Sequence, residues 1–245
     1  MRKSLLTQSG LQANAILQRL GLRLVRFPSP ADRRRIQLIR NRSISMVIDI
    51  GANAGQYAKL LRNLGYRNKI LSYEPLPEAF RLLAKAAHSD GLWNVSQTAV
   101  GDKAGKITMN IAENSVSSSA RQMSSRHLMA APDSGIVGSI SVDCVSLDSI
   151  VSAQLVQPML VKIDTQGFER NVLASGTGVI RSISLLELEM SFVELYHGQA
   201  LFRELDSLLT RSGFKLCSIE EGFFDEVSGE LLQCDAIYAQ ENSAW

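Results

Sequence analysis

The chain has 245 residues, of which 45% are hydrophobic and 20% charged, and its formal net charge is +2. This composition allows one α/β domain with a large core, and the longest apolar runs fall short of the roughly 20 residues that a membrane-spanning helix needs. The three cysteines, Cys144, Cys217 and Cys234, form no CxxC pair, which argues against a disulfide framework or a zinc site. We expect a cytoplasmic protein without a signal peptide.

The first 42 residues form a basic arm. Residues 1–42 hold ten Lys or Arg against Asp32 alone, a balance of +9, which leaves −7 for the remainder. Leu17, Leu20 and Leu24 give the arm a partly amphipathic helical face. Two interpretations remain open: a solvated helix that packs on the domain through its leucines, or a peripheral contact with anionic lipid at the inner face of the membrane.

From residue 43 to 245, short apolar runs alternate with helical patterns, which predicts βαβ units and a mostly parallel sheet with helices on both faces. A turn at Ser228 and Gly229 near the end predicts that the last strand enters antiparallel. Residues 113–138 are rich in Ser and lack periodicity, so we expect a functional loop or small insertion there. The predicted strands span residues 46–50, 69–74, 94–99, 159–164, 183–190, 214–219 and 234–239.

The first predicted strand runs into the glycine loop of "VIDIGANAGQY", residues 47–57. Gly51 and Gly55 allow a tight turn and a close approach of the backbone to a ligand. Asn53 and Gln56 occupy two of the three glycine positions of the dinucleotide fingerprint, which argues against NAD or FAD. The loop also lacks the Lys and Ser/Thr pair of a P-loop.

Two carboxylates narrow the choice of nucleotide. Glu74 ends the second predicted strand, where a carboxylate can accept both ribose hydroxyls. Asp49 ends the first strand; it repels a pyrophosphate but can be bridged to an ammonium group, unless it only caps the loop. S-adenosyl-L-methionine carries both a ribose and an ammonium. Ala99 and Val100 are candidates for lining its adenine, with Asp102 as a partner for the amine or simply part of a turn.

Charged residues also interrupt two later strands that otherwise read as buried. Lys162 and Asp164 alternate with apolar residues in "LVKIDTQGFERNVLASG", and burying charges is costly without partners. Glu187 and Glu189 do the same in "LLELEMSFVELYHG". A buried ion pair is one interpretation of Lys162. Asp164 and Glu189 are predicted to bracket a substrate hydroxyl as general base and orienting group, or to bind a divalent cation. His197, the only histidine near this group in sequence, is a weaker candidate base.

Taken together, these motifs resemble the FkbM family of S-adenosylmethionine-dependent methyltransferases. The matching pieces include "VIDIGANAGQY", "YEPLPEAF", "VGDKAGKITM", "ENSVSSS", "LVKIDTQGFERNVLASG" and "LEMSFVELYHGQ", in family order over residues 46 to about 240. The resemblance implies a Rossmann-like class I methyltransferase sheet of seven strands. It also implies methyl transfer to a hydroxyl, most often on a sugar of a glycolipid or other glycoconjugate, with a polyketide hydroxyl as the alternative.

The resemblance carries functional roles onto residues of this chain. Residues of the acceptor side would be Ser117, Ser118, Ser119, Gln166, Glu169 and Tyr196, beside the catalytic candidates Asp164, Glu189, Lys162 and His197. Residues of the cofactor side would be Asp49, Gly51, Asn53, Gly55, Tyr57 and Glu74. Apart from the resemblance, we also predict cofactor contacts for Ala52, Pro75, Ala99, Val100 and Asp102. Two rivals stay in view: a nucleic-acid methyltransferase that uses the basic arm, and a non-catalytic scaffold with a decayed cofactor fold. A nucleic-acid acceptor is not expected, because the chain lacks an Asn/Asp-Pro-Pro-Tyr/Phe loop.

Overall fold

The computed structural model describes residues 17–22, 27–154 and 157–241. Ten strands and seven α-helices follow one another in these segments. The helices are α1 (Pro30–Asn41), α2 (Gln56–Asn63), α3 (Pro77–Ala87), α4 (Ser125–Ala130), α5 (Leu147–Ser152), α6 (Glu169–Ala174) and α7 (Phe202–Arg211). The strands are β1 (Met46–Ile50), β2 (Lys69–Tyr73), β3 (Trp93–Ser96), β4 (Ala99–Gly101), β5 (Gly105–Ala112), β6 (Ile136–Ser146), β7 (Met159–Ile163), β8 (Leu185–Ser191), β9 (Phe214–Glu221) and β10 (Gln233–Gln240).

The main sheet has seven strands in the order β3-β2-β1-β7-β8-β10-β9. Strands β3, β2, β1, β7 and β8 are parallel, whereas β10 is antiparallel to both β8 and β9. The predicted fold class, a mostly parallel seven-stranded sheet whose last strand is antiparallel, is therefore confirmed. The chain turns from one half of the sheet to the other between β1 and β7, and open α/β sheets bind ligands at such a switch point, beyond the carboxyl ends of the strands.

Both faces of the sheet are covered, which explains why its central strands are nearly continuous apolar runs. All five residues of β1, "MVIDI", are buried. One face packs against a core cluster that includes Ile48, Val161 and Leu186, and the opposite face packs against a cluster that includes Val47, Leu61 and Leu160. The charged residues of these strands must therefore find partners within the fold.

Helix α1 lies within the predicted basic arm, yet it packs on the body of the domain. Its Ile36 and Ile39 are buried in the second core cluster, and Ser29 caps its first turn together with Asp32. Of the three leucines predicted to form the helical face of the arm, Leu20 is 70% exposed and Leu24 lies outside the described residues. No helix in the described part of the chain is long and apolar enough to cross a membrane.

A second, three-stranded sheet in the order β4-β6-β5 stands beside the main one. The strand predicted at 94–99 is in fact two, because the chain leaves the main sheet after Ser96 and enters the small sheet at Ala99. The predicted loop at 113–138 contains helix α4 and the start of β6. Strands β5 and β6 were not predicted, although both alternate apolar and polar residues and their Ile107, Met109, Ile140 and Val142 pack in one small apolar cluster.

Candidate functional site

A cavity of about 460 Å³ lies at the carboxyl ends of β1, β2 and β7, and residues of the small sheet and of the segment 114–131 also line it. Fourteen of the predicted site residues line it: Gly51, Ala52, Asn53, Tyr57, Glu74, Pro75, Ala99, Val100, Ser117, Ser118, Lys162, Asp164, Gln166 and Glu189. Seven others do not line it: Asp49, Gly55, Asp102, Ser119, Glu169, Tyr196 and His197. The fold thus gathers residues that lie up to 138 positions apart in sequence into one site.

The glycine loop brings the backbones of two strand ends into contact. Gly51 has a φ of +79°, and a Cβ at this position would lie 1.7 Å from the carbonyl oxygen of Asp164. Only glycine avoids that overlap at a positive φ. Gly55, by contrast, packs against the ring of Trp93, where a Cβ would lie 2.7 Å from the nearest ring atom. Gly55 therefore shapes the turn into α2 and does not contact the cavity.

Glu74 stands at the end of β2 with both carboxylate oxygens held by backbone amides. Its Oε2 accepts a hydrogen bond from the N–H of Asn53 at 2.9 Å, and its Oε1 accepts one from the N–H of Leu76 at 2.9 Å. Burial raises the pKa of Glu74 above its ordinary value. Each carboxylate oxygen has a second lone pair, so this fixed carboxylate can accept further hydrogen bonds from a ligand diol.

Two rows of charged side chains cross the central strands. In the inner row, Asp49 of β1 pairs in register with Lys162 of β7, which pairs with Glu187 of β8. Asp164 and Glu189 form the outer row, two residues further along each strand and so on the same face, closer to the carboxyl edge. This register explains why only the outer pair of carboxylates reaches the cavity.

Asp49 lies beneath the cavity floor. It has no exposed surface, its Oδ2 accepts a hydrogen bond from the Ser72 hydroxyl at 3.2 Å, and its Oδ1 lies 3.7 Å from Lys162 Nζ. Burial raises the pKa of Asp49. Asp49 does not line the cavity in this structure, so a bridge from Asp49 to a ligand ammonium, directly or through water, stays a prediction.

Glu187 belongs to a buried cluster that supports the same floor. Its Oε2 accepts a hydrogen bond from the Tyr57 hydroxyl at 2.6 Å, and its Oε1 accepts one from Arg35 Nε at 2.9 Å. Arg35, on helix α1, also donates to Glu220 at 2.8 Å. Arg35 was not predicted, since nothing in the sequence links the arm to β8. The partners of Glu187 in this cluster keep its carboxylate out of the cavity. They also fix the ring of Tyr57, which lines the cavity.

Lys162 connects the two rows. Its Nζ donates to Asp164 Oδ2 at 3.0 Å and lies 5.4 Å from the centre of the Tyr57 ring. Burial by itself lowers the pKa of Lys162, but the carboxylates of Asp164 and Asp49 outweigh burial and raise it above its ordinary value. Lys162 is therefore a cation at neutral pH and serves as a fixed positive charge rather than a base.

The outer carboxylates are joined by one amide. Gln166 Nε2 donates to Asp164 Oδ1 at 2.9 Å and to Glu189 Oε2 at 2.8 Å. Gln233 of β10 also donates to Glu189 Oε2, at 2.8 Å. Gln233 lines the cavity and was not predicted, because an isolated glutamine on a late strand carries no sequence signal. Burial raises the pKa of Glu189 well above its ordinary value, and the neighbouring Asp164 raises it further.

The loop after β7 is shaped by residues that were predicted to face the acceptor but stand behind the cavity wall. Glu169 Oε1 accepts hydrogen bonds from the backbone N–H groups of Thr165 and Gly167 at 2.9 and 3.1 Å. Burial raises the pKa of Glu169 to about 7. Ser119 donates to the Gln166 carbonyl at 2.6 Å, and the Tyr196 hydroxyl lies 2.9 Å from Gln166 Oε1. These contacts orient Gln166, whose φ is +53°.

The histidine prediction was wrong in one respect. His197 is exposed on the loop after β8 and does not line the cavity. His127, on helix α4 of the 113–138 segment, does line it and is 3% exposed. Distance along the chain misled the prediction, because α4 packs against the loop after β8. Asp102 is likewise exposed and outside the cavity wall, whereas its neighbours Ala99 and Val100 line it.

The carboxylates were also considered as ligands of a divalent cation. Among the described residues, no group of three or more His, Cys, Asp or Glu side chains is arranged to hold a metal ion. In the structure, the outer pair is bridged by the Gln166 amide.

Comparisons with known proteins bear on this site. Residues 49–216 match the model of the methyltransferase FkbM domain. The 2-O-methyltransferase NoeI of Sinorhizobium fredii (strain NBRC 101917 / NGR234) is 28% identical over 172 residues, which cover 67% of this chain and 70% of NoeI.

Solved structures with related architecture are far more distant in sequence. An rRNA methylase from Streptococcus thermophilus is 8% identical, covers 88% of this chain and 99% of its own, and has a TM-score of 0.48. TrmK of M. capricolum, solved with S-adenosyl-homocysteine, is 9% identical, with coverages of 84% and 69% and a TM-score of 0.47. The family match spans more than half of the chain, including the glycine loop, Glu74 and both outer carboxylates. The chain therefore belongs to the FkbM methyltransferase family.

Proposed function

We propose that the protein is an S-adenosylmethionine-dependent O-methyltransferase whose acceptor is a hydroxyl on the sugar of a glycolipid or other glycoconjugate. The observation that carries the proposal is the outer pair, Asp164 and Glu189, which faces the cavity and is held in place by Gln166. Family membership and the 2-O-methyltransferase relative support it.

The residues of the inner half of the cavity suit this cofactor. The Glu74 carboxylate, fixed by two backbone amides, would accept hydrogen bonds from the ribose hydroxyls. Ala99 and Val100 would contact the adenine, and the backbone of residues 51–53 would lie against the methionine part. When bound, the cofactor supplies a methyl group that is already activated by its sulfonium. The protein's own contribution is then to position the acceptor and remove its proton.

Asp164 is the proposed base. Its side chain is 27% exposed, in contrast to the fully enclosed Asp49, so that an acceptor hydroxyl can reach it. A proton transferred to Asp164 leaves Lys162 without its nearest counter-charge, but Asp49 remains 3.7 Å from the ammonium. The buried ammonium of Lys162 therefore keeps an ionised partner, Asp49, while Asp164 becomes neutral.

Glu189 is the proposed orienting group and the second choice for the base. Its raised pKa would make it a stronger proton acceptor than an ordinary carboxylate once it is ionised. The two carboxylates lie close together on the shared amide of Gln166. Protonation of one therefore removes a negative charge and stabilises the ionised form of the other. Asn114, Val116 and His127 of the 113–134 segment also line the cavity.

The basic arm adds a proposal about location. We infer that residues 1–26 bring the enzyme to an anionic membrane surface where a glycolipid acceptor is presented. The positive charge of the arm supports this inference. So do three exposed apolar residues: Leu20, Leu22 and Phe27 are 70%, 57% and 59% exposed. Basic residues combined with exposed apolar ones are typical of interfacial binding.

The test of the proposed function is methyl transfer from cofactor with a labelled methyl group into fractions of the source cell: lipids, polysaccharides and RNA. We expect label in a glycoconjugate fraction, recovered as a methyl ether on a sugar after hydrolysis and linkage analysis. Label in RNA, or label on a nitrogen atom, would overturn the proposal. The Asp164→Asn variant serves as the control for contaminating activity.

A further inference from the structure

The acceptor end of the cavity contains a buried histidine that the mechanism above does not use. His127 is 3% exposed and lines the cavity. Its ring meets Tyr196 edge-on at a centroid distance of 5.1 Å and lies 5.6 Å from Phe223. Ser124, which caps helix α4, donates to the carbonyl of Glu194 at 2.8 Å and so ties this helix to the loop after β8. The imidazole is thus held in a fixed position.

Among the described residues, this imidazole has no hydrogen-bond partner. Its Nδ1 is enclosed and unpaired, and no other described residue makes a hydrogen bond to the His127 side chain. Nε2 is not among the enclosed unpaired atoms, which leaves that edge of the ring open to the cavity. Buried polar groups in native structures are nearly always paired, because an unpaired one costs free energy. The enclosed Nδ1 is out of reach of a ligand, so a molecule in the cavity can pair with this ring only at Nε2.

The charges around the cavity restrict what that ligand can be. Among the described residues that line it, Lys162 is the sole Lys or Arg, and it is already paired with Asp164 and Asp49. The acceptor end otherwise presents the carboxylates Asp164 and Glu189 beside neutral groups. An acceptor with a carboxylate or phosphate near its reacting hydroxyl would meet negative charge without a free counter-ion. Burial also lowers the pKa of His127 to about 4, so it adds no positive charge at neutral pH.

We propose that His127 determines acceptor specificity by hydrogen-bonding, through Nε2, a second hydroxyl of an uncharged polyol, and that the cavity rejects the matching anionic sugar. The inference rests on the proposed function and deepens it, since it names the charge class of the acceptor. The rings of Tyr196 and Phe223 hold the imidazole but take no part in the hydrogen bond. Depending on its tautomer, a neutral imidazole either donates or accepts a hydrogen bond at Nε2, and a hydroxyl can be the partner in both cases.

The test uses the full chain saturated with S-adenosylhomocysteine and a panel of methyl hexopyranosides, each paired with its hexuronate counterpart. Side-chain ¹⁵N NMR of labelled histidine follows His127, His88 and His197 during titration. We expect at least one neutral glycoside to shift the Nε2 resonance of His127 but not the resonances of His88. Its hexuronate should bind about tenfold more weakly or worse.

The variant His127→Phe keeps an aromatic ring against Tyr196 and Phe223 and removes both nitrogens. It should weaken binding of that glycoside about tenfold and leave the affinity for S-adenosylhomocysteine unchanged. His88→Phe, at an exposed position at the end of α3, is the matched control and should change neither affinity.

The outcomes separate this inference from the proposed function. If S-adenosylhomocysteine does not bind, the proposed function itself fails. If it binds but no neutral glycoside of the panel perturbs His127, or if a hexuronate binds as tightly as its neutral partner, the assignment of His127 is wrong. Should His127→Phe fail to fold, the wild-type titration alone decides.

Discussion

Asp164 and Glu189, at the ends of two neighbouring parallel strands, accept hydrogen bonds from the same nitrogen, Gln166 Nε2, at 2.9 and 2.8 Å. A single amide therefore fixes the separation and orientation of both carboxylates. Lys162 holds the other oxygen of Asp164 from below. This arrangement leaves the outer pair preorganised at the cavity, with the charge of the inner row already balanced, and it is the basis of the proposed proton transfer.

Replacement of Glu74 by glutamine should weaken cofactor binding. In Glu74→Gln, one of the two oxygens that accept backbone N–H groups becomes an NH₂ donor, which disturbs the glycine loop and removes an acceptor for the ribose. We expect the Kd for S-adenosylmethionine to rise about tenfold in isothermal titration. The control Glu78→Gln changes a side chain that is 85% exposed and should not affect Kd. An unchanged Kd in Glu74→Gln would show that Glu74 does not bind the ribose hydroxyls.

A methyl group at Gly51 should destabilise the fold. The added Cβ of Gly51→Ala would overlap the Asp164 carbonyl at a positive φ, so that the ends of β1 and β7 must separate. We expect the free energy of unfolding to fall by about 3 kcal/mol, as measured by urea denaturation. Gly91→Ala introduces a Cβ with no neighbour within 4 Å and is the matched control. Equal stability of the two variants would contradict the close approach of the loops.

The sequence was sufficient for the parts of this site that depend on strand ends. Glu74, Asp164 and Glu189 were identified because alternating β and α patterns place the carboxyl ends of parallel strands at one edge. Gln233 and His127 were missed, since they come from a distant strand and from a helix within a segment without periodicity. The enclosure of Asp49, which does not line the cavity, also escaped the sequence, because it depends on the three-dimensional packing around the end of β1.

The stability of the loop after β7 should depend on pH through Glu169. Its pKa in the folded state is raised to about 7 from 4.5, so the folded protein favours the protonated form. This contribution to stability is fully present below pH 4.5 and is lost as the pH rises through 7. Glu169→Gln keeps Oε1, which accepts all three hydrogen bonds of this side chain, but cannot ionise.

The difference in unfolding free energy between Glu169→Gln and wild type should therefore grow in favour of the variant between pH 4.5 and 7, by up to about 3 kcal/mol. Denaturation at several pH values gives this difference directly, and contributions from other titrating groups cancel in it. A difference that is constant across this range would show that Glu169 titrates as it does in the unfolded chain.

Removal of residues 1–26 should abolish binding to anionic vesicles without unfolding the domain. The deletion stops before Ser29 and helix α1, because Arg35, Ile36 and Ile39 are buried in the domain. In sedimentation assays, we expect the full chain to bind vesicles that contain phosphatidylserine, with binding that weakens as salt rises. Equal binding by the truncated chain would place the membrane contact outside residues 1–26. No binding by the full chain would refute the proposed membrane contact altogether.

The central claim is that Asp164 removes the acceptor proton, and the variant Asp164→Asn tests it most directly. The comparison requires the kcat for the labelled glycoconjugate fraction and the Kd for S-adenosylmethionine, with the exposed Asp143→Asn as control. We predict that kcat falls by about 100-fold or more in Asp164→Asn, while Kd stays at the wild-type value and Asp143→Asn matches wild type in both. Full turnover by Asp164→Asn with normal cofactor binding would contradict the account.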